Sequence, residues 1–217
     1  MSDRYALMWS GGKDSALALH RAQTAGLEVT RLINFYDSAT GRVRFHATRV
    51  TMIQAQAAAA KIDLRTIGTS WPEMEDRFSE ELEALRSDRF TGIVFGDIHL
   101  ADVRAWYEER VVRAGLMHIE PIWGESPAAL LGEFVQTGGR AVITCVDLSR
   151  LDASWLGRVV DKRFVTEIGT TGADPCGENG EYHSFAFQGP FFDHAVVWRL
   201  GEIRTDSGFS QLDVLAG

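Results

Sequence analysis

Short apolar runs alternate with longer amphipathic segments from Tyr5 to Trp123, and this alternation restricts the fold more than any other feature of the sequence. The apolar runs predict strands at residues 5–9, 29–36, 64–67, 93–95 and 118–123, and the segments between them predict helices at 15–25, 51–62, 74–85 and 103–114. Strands that alternate with helices of about ten to fifteen residues form parallel βαβ units. We therefore predict an α/β fold with a doubly wound parallel sheet, whose ligands bind at the carboxyl ends of the strands.

The regular alternation of predicted strands and helices ends after Trp123. We predict a helix at residues 127–136, a strand at 141–146, a short helix at 152–160, and strands at 182–187 and 195–200 with no helix between them. A chain of 217 residues accommodates one α/β domain and a smaller appended module. We predict an N-terminal domain over residues 1–125 and a smaller α+β domain, which we expect to recognise the substrate, over residues 126–217.

The formal charge of −8 comes from 22 Lys and Arg against 30 Asp and Glu. Because contacts to the phosphate backbone dominate the affinity for nucleic acids, this negative charge argues against a nucleic-acid partner. It also disfavours anionic membrane surfaces. We find no apolar segment of signal-peptide or membrane-spanning length, so we expect a cytoplasmic protein without a membrane partner.

Two cysteines, Cys145 and Cys176, are too few and too far apart for a zinc knuckle or a disulfide framework. We expect reduced thiols with a structural role. The tryptophans, Trp71 among them, are expected to pack in the core or between the domains.

The sequence Ser10-Gly11-Gly12-Lys13-Asp14-Ser15 lies where the first predicted strand ends and the first helix begins. Free backbone N–H groups and the helix dipole attract anions at such a position. The two glycines allow close approach of the backbone, the lysine adds a positive charge, and the serines add hydroxyl donors. The Walker A and dinucleotide-binding patterns are both absent. This segment, which we call the glycine loop (residues 10–15), predicts a polyphosphate ligand.

The glycine loop resembles the PP-loop of the ATP-pyrophosphatase superfamily, whose members cleave ATP between the α- and β-phosphates. The segments FGDIHLADVRAWYEERVVRAGL, PIW and ADPCGENGEYHSFAFQGPFF resemble the diphthine–ammonia ligase family, and the likeness extends from residue 5 to about residue 192. The chain departs from the usual family pattern at Gly96-Asp97-Ile98 and Tyr182-His183-Ser184, which leaves the acceptor open.

The resemblance implies a Rossmann-like fold, ATP as substrate, and particular site residues. The implied nucleotide-binding residues are Ser10, Gly11, Gly12, Lys13, Asp14, Ser15, Gly96, Glu178 and Asn179. The candidate catalytic residues are Lys13, Asp14, His46, Asp97, Glu181 and His183. Asp14 and Asp97 are also candidate ligands for Mg²⁺, which prefers carboxylates together with substrate phosphates.

The implied reaction is an ATP-dependent, AMP-forming amidation of a carboxylate by ammonia, with a diphthine-like side chain on a protein as one acceptor. A base must take a proton from the nitrogen nucleophile, and His46, His183, Glu178 and Glu181 are candidates. Two other functions stay open: a non-catalytic ATP or AMP sensor, and a PP-loop tRNA-modifying enzyme. A homodimer is also left open, because the apolar segment 185–192 suits a core or an interface.

Overall fold

The structure, a computed structural model, describes residues 3–217. The strands within them are β1 (Arg4–Met8), β2 (Glu28–Asp37), β3 (Arg42–Val43), β4 (Asp63–Thr69), β5 (Gly92–Val94), β6 (Met117–Ile119), β7 (Arg140–Asp147), β8 (Tyr182–Gln188), β9 (Trp198–Asp206) and β10 (Phe209–Ala216). The α-helices are α1 (Lys13–Thr24), α2 (Val50–Ala60), α3 (Met74–Ser87), α4 (Ala101–Arg113), α5 (Pro127–Gln136) and α6 (Lys162–Ile168). None of these helices is both long and apolar enough to cross a membrane.

Parallel strands form the larger sheet in the order β4-β2-β1-β5-β6, and β3 pairs antiparallel with Tyr36 and Asp37 at the end of β2. The strand order reverses between β1 and β5, because the chain first proceeds outward through β2 and β4. Ligands of doubly wound sheets bind at this switch point, outside the carboxyl ends of the strands. The predicted α/β class with a doubly wound parallel sheet is confirmed.

The central strand β1 is apolar because helices cover both faces of the sheet, and Ala6 and Leu7 are fully buried. The helix α1 follows it and buries an Ala- and Leu-rich face. This helix ends at Thr24, and Gly26 then adopts a φ of 84°, a left-handed conformation that favours glycine after a helix. The strand predicted at residues 5–9 and the helix predicted at 15–25 are confirmed.

Antiparallel strands form the second sheet in the order β8-β7-β10-β9. Strand β8 contacts the glycine loop directly, since the Ala186 N–H donates to the Gly11 carbonyl at 2.8 Å. The side chains of Phe185, Phe191 and Phe192 are buried, so the apolar segment 185–192 packs into the chain's own core. Buried residues of both sheets belong to one apolar cluster. The boundary at residue 125 stays a prediction.

Three predicted elements differ from the structure. The strand predicted at 118–123 ends at Ile119 because a turn follows from Glu120. The helix predicted at 152–160 is wrong: it is one 3-10 turn, Ala153–Trp155, in which the Asp152 side chain accepts from the Ser154 N–H at 2.8 Å. The strand predicted at 195–200 begins at Trp198 and continues to Asp206.

Strand β3, helix α6 and strand β10 were not predicted, although two of them carry local signals. The Asp161 side chain accepts from the Phe164 N–H at 2.9 Å and caps the start of α6. Ser207 and Gly208, with φ values of 50° and 86°, form the two-residue turn that joins β9 to β10.

Asp213 on β10 joins the second sheet to the segment around β3 and α2. Its carboxylate accepts from Arg42 Nη1 at 2.8 Å and Arg49 Nη2 at 2.6 Å, and its side chain is 8% exposed. Burial raises the pKa of Asp213, but the hydrogen bonds from Arg42 and Arg49 outweigh burial and lower the pKa to about 2.

We expect Asp213→Asn to lower the free energy of unfolding at pH 7 by about 1 kcal/mol, because it weakens charge-assisted hydrogen bonds to partly exposed arginines. The pKa of the folded state lies below the ordinary value of 3.8, so the contribution of Asp213 is complete above about pH 4 and is lost as the pH falls through 2. Urea titrations of wild type and variant should therefore converge between pH 4 and pH 2. A difference that stays constant over that range would contradict the assignment.

Candidate active site

The glycine loop connects β1 to α1 at the switch point of the larger sheet. Helix α1 begins after Gly12, which has no side chain to cap it, and the Lys13 N–H donates to the Ser184 hydroxyl at 3.2 Å. Backbone N–H groups in the first turn of a helix lack partners within the helix and carry the positive end of its dipole. The Ser10 hydroxyl donates to the Ser15 hydroxyl at 3.2 Å beside them. The loop therefore offers N–H groups and hydroxyls to an anionic ligand.

Its glycines are also required by close packing within the protein. Gly11 has a φ of 82°, and a Cβ there would lie 2.6 Å from side-chain atoms of α2. A Cβ on Gly12 would lie 2.8 Å from Cε1 of His46. Gly96, just after β5, is similarly close to α1, since its Cβ would lie 3.0 Å from the Ser15 nitrogen. Any side chain at these positions would displace the loop from its surroundings.

Gln56 on α2 anchors the loop, and sequence reasoning missed it. Its side chain is fully buried and accepts from Trp9 Nε1 at 2.9 Å. Its Nε2 donates to the Gly11 carbonyl at 2.9 Å and to the Ala186 carbonyl at 2.6 Å. The available signal was one polar residue on the buried face of an otherwise Ala-rich helix. Gln56 thus links the loop to both sheets.

We expect Gln56→Leu to lower the free energy of unfolding by about 3 kcal/mol, because Trp9 Nε1, the Gly11 carbonyl and the Ala186 carbonyl each lose a buried hydrogen bond. Gln54→Leu on the exposed face of the same helix is the matched control and should change it by less than about 0.5 kcal/mol. Chemical denaturation measures both. Similar values for the two variants would contradict the anchoring role.

Lys13 lies at the base of the glycine loop with its side chain only 3% exposed. Its Nζ is 2.9 Å from Asp14 Oδ2, donates to the Cys176 carbonyl, and lies 4.8 Å from the centre of the Tyr182 ring. Burial lowers the pKa of Lys13, but the charge of Asp14, the smaller contributions of Tyr182 and Cys176, and the hydrogen bond to Asp14 together outweigh burial. The pKa is therefore raised and Lys13 keeps its ammonium form. The ammonium thus links the loop to the C-terminal part of the chain.

Asp14, Asp97 and Glu178 come together beside the loop. Burial and the charge of Asp14 raise the pKa of Asp97 to about 6. Burial and Asp14 likewise raise the pKa of Glu178 to about 7, although its Oε1 accepts from the Ile98 N–H at 2.9 Å. Carboxylates that resist ionisation together form a place where a cation is stabilised.

Glu120 is a fourth acidic residue of this region, and sequence reasoning missed it. Burial and the charge of Asp97 raise the pKa of Glu120 to about 7. Its side chain is 2% exposed, and Arg104 Nε, 3.0 Å away, lies outside hydrogen-bonding alignment. The sequence signal was its position directly after β6, which neighbours the strand that leads to Asp97.

Glu181 holds the turn that carries Glu178. Its carboxylate accepts from the backbone N–H groups of Asp174 and Asn179, each at 3.1 Å, and the side chain is nearly fully buried. The Asn179 side chain lies 3.4 Å from the same carboxylate. Glu181 and Asn179 therefore stabilise the turn beside the site. The predicted catalytic role of Glu181 and the predicted nucleotide-binding role of Asn179 stay predictions.

His46 and His183 lie against each other, with ring centres 4.7 Å apart. Burial lowers the pKa of His46. Burial and the neighbouring His46 lower the pKa of His183 well below its ordinary value. Both imidazoles are therefore neutral at pH 7. His46 Nδ1 is 3.2 Å from the Ser184 carbonyl. Because a carbonyl only accepts, Nδ1 carries the proton and Nε2 keeps a lone pair. His46 is therefore able to act as a base beside the loop.

A glycine loop between β1 and α1, at the switch point of this strand order, defines a PP-loop protein of the α/β class. The diphthamide synthase N-terminal domain matches residues 3–118, and the diphthamide synthase C-terminal domain matches residues 126–212. The chain belongs to the diphthamide synthase family. The resemblance found in the sequence is confirmed, and the protein is classed with enzymes.

Relatives named diphthine–ammonia ligase are similar to this chain over most of its length. The Bos taurus protein is 26% identical over 230 residues, which covers 94% of this chain and 86% of the relative. The Homo sapiens protein is 25% identical over 226 residues, covering 92% and 84%. The Danio rerio protein is 24% identical over 232 residues, covering 95% and 91%.

Proposed function

We propose that the protein is an ATP-dependent ligase that adenylates a carboxylate, releases pyrophosphate, and then amidates the carboxylate with ammonia. The observation that carries this proposal is the glycine loop at the switch point, closed by the turn that bears Glu178 and by strand β8. The names of the relatives support a carboxylate acceptor of the diphthine type, borne on a protein, with ammonia as the second substrate.

ATP would bind with its phosphates on the glycine loop. The N–H groups of Gly12 and Lys13, which donate to the hydroxyls of Ser10 and Ser184 at 3.2 Å each, would exchange these partners for phosphate oxygens. The other N–H groups of the first turn of α1 and the hydroxyls of Ser10 and Ser15 would donate beside them. Gly96 allows the end of β5 to lie against this turn. Glu178 and Asn179 would close the nucleotide site from the second sheet.

The residues present fit Mg²⁺ bound together with phosphates. No group of three or more His, Cys, Asp or Glu within residues 3–217 is arranged to hold a metal ion by itself. Asp14 and Asp97 supply two carboxylates whose mutual repulsion a cation would relieve, and Mg²⁺ is commonly held by one or two carboxylates plus substrate phosphates. Bound Mg²⁺ would neutralise charge on the phosphate oxygens.

The first step would be attack of an acceptor carboxylate oxygen on the α-phosphorus, which breaks the bond to the β-phosphate and releases pyrophosphate. The loop N–H groups and the Lys13 ammonium would stabilise the charge that develops. In the second step ammonia would attack the acyl carbon, AMP would leave, and the nitrogen would lose a proton. His46 Nε2 is the proposed acceptor of that proton.

The proposal is tested by incubating the protein with ATP, Mg²⁺, ammonium and a protein acceptor that carries diphthine, and by separating the nucleotides. We expect AMP and pyrophosphate in equal amounts, with one nitrogen added per AMP when ¹⁵N-ammonium is used. ATP that is bound and returned unchanged in the presence of the acceptor would overturn the ligase and support a nucleotide sensor. AMP formed only with tRNA would support a tRNA-modifying enzyme.

A further inference from the structure

Buried polar atoms that lack a hydrogen-bond partner are concentrated directly after β6. In the part of the chain that the structure describes, eight buried side-chain nitrogen and oxygen atoms have no such partner. Four of the eight lie together: both carboxylate oxygens of Glu120, Nε2 of His118 and Nε of Arg104. We call these three side chains the Glu120 cluster. Each unpaired atom costs the free energy of its removal from water, so their concentration in one place points to a polar ligand.

The members of the cluster are too poorly aligned or too far apart to satisfy one another. Arg104 Nε is 3.0 Å from Glu120 Oε2 but outside hydrogen-bonding alignment, and the guanidinium lies against the Trp123 ring, 4.6 Å from its centre. His118 Nε2 is 3.5 Å from Glu120 Oε1, which is too long for a good hydrogen bond. Phe95 packs on the His118 ring, with the ring centres 4.7 Å apart. Since the Glu120 and His118 side chains are only 2% and 3% exposed, bulk water does not supply the missing partners.

The Glu120 cluster lies beside the proposed phosphate site. Strand β6 pairs with β5, so Glu120, which follows β6, is near Asp97, which follows β5. Besides burial, the negative charges of Asp97 and, more weakly, Glu178 raise the pKa of Glu120, so the three carboxylates share one region. Gly96, the neighbour of Asp97, packs against the first turn of α1. A ligand of the cluster would therefore lie close to the ATP phosphates.

The chemistry of the unpaired atoms selects a cation that donates hydrogen bonds. A carboxylate only accepts hydrogen bonds, and a neutral imidazole has one accepting nitrogen. Burial lowers the pKa of His118, so its ring is neutral at pH 7. Three carboxylates and one guanidinium act on Glu120: those of Asp97, Glu108, Glu178 and Arg104. Because this surrounding charge is negative, a small positive donor such as ammonium suits the cluster better than a neutral water molecule.

We propose that the Glu120 cluster binds the ammonium ion that supplies the nitrogen of the new amide. Glu120 Oε1 and His118 Nε2 would accept hydrogen bonds from it, and Arg104 would hold the other oxygen of the Glu120 carboxylate. This inference rests on the proposed function, because it assumes ammonia as the second substrate. The nitrogen would then be stored next to Asp97, close to the place where the acceptor carboxylate is activated.

The test measures the KM for ¹⁵N-ammonium from the rate of nitrogen transfer to the diphthine-bearing acceptor at saturating ATP and Mg²⁺. Glu120→Gln removes the charge but keeps the shape, and should raise this KM about tenfold. Glu109→Gln is the matched control, because Glu109 is 60% exposed and pairs with Arg113 on the surface of α4. It should leave the KM within about twofold of wild type. Exchange of pyrophosphate into ATP, measured with the acceptor but without ammonium, reports adenylation separately and should change much less than the KM.

If Glu120→Gln does not fold, Glu120→Asp replaces it: the charge beside Arg104 is kept, the oxygens are withdrawn, and the KM for ammonium should rise about threefold or more. A folded variant that is less stable but keeps the wild-type KM would overturn the proposal, since the cluster would then be a structural ion pair or hold water. Equal losses of exchange and of nitrogen transfer would also overturn it, because Glu120 would then act on adenylation. The absence of exchange from the wild-type protein would instead refute the ligase itself, and this inference with it.

Discussion

Lys13→Met is expected to reduce the rate of AMP and pyrophosphate formation about a thousandfold. Methionine preserves most of the side-chain volume but removes the charge at the base of the glycine loop, and with it the cation–π contact between Lys13 Nζ and the Tyr182 ring. The loss has two causes: the transition state loses a cation, and the loop loses its tie to the Cys176 carbonyl. Pyrophosphate release, followed by a coupled assay at saturating ATP, measures the effect.

The matched control is Lys61→Met, because Lys61 is 69% exposed and pairs only with Asp193 on the surface. This variant should retain the wild-type rate within about twofold. Circular dichroism and thermal unfolding show whether the Lys13 variant is folded. A folded Lys13→Met protein that releases pyrophosphate at the wild-type rate would remove Lys13 from the chemistry.

Asp97→Asn is expected to lower kcat/KM for ATP about a hundredfold while leaving the protein at least as stable as wild type. Burial and the charge of Asp14 disfavour the ionised form of Asp97, so the neutral amide relieves a repulsion in the folded state. The same change removes one of the two carboxylates proposed for Mg²⁺. Activity should fall although the midpoint of thermal unfolding does not, which is the pattern of a residue kept for function.

The pH dependence of kcat/KM provides the second readout. The pKa of Asp97 is raised to about 6, so the wild-type value should fall as the pH decreases below 6 and this carboxylate becomes protonated. Glu178 titrates near 7 and remains in the variant, so the acid limb of Asp97→Asn should become shallower without disappearing. Asp193→Asn on the surface should leave the profile unchanged. An identical acid limb in the Asp97 variant would contradict the assignment.

The fold of the N-terminal half followed from its sequence because parallel strands covered on both faces are continuous apolar runs, as in β1. Strand β10 lacks that signal, because its apolar run is interrupted by Ser210 and Asp213, although both side chains are buried. The prediction of a helix at 152–160 was wrong because Val159 forms an antiparallel β-bridge with Val142 of β7, a contact that no local pattern reveals.

The residues of the candidate site also differ in how far the sequence could predict them. The glycine loop is contiguous in sequence and its chemistry is local, so it could be predicted. Gln56 and Ser184 act on the loop from distant positions, Ser184 by accepting from the Lys13 N–H at 3.2 Å, and their roles depend on how the two sheets meet. Trp71 was expected in the core or between the domains, but it is 66% exposed, and local sequence did not reveal this.

The bond from the Lys13 N–H to Ser184 joins positions 171 residues apart. When only the first sheet has emerged from the ribosome, the glycine loop therefore lacks the partners that fix its position. Nucleotide binding should begin only after strand β8 has been synthesised and has docked, and pairing at such separation is slow. On the proposed function, affinity for ATP is therefore expected only once the segment that contains Ser184 has left the ribosome.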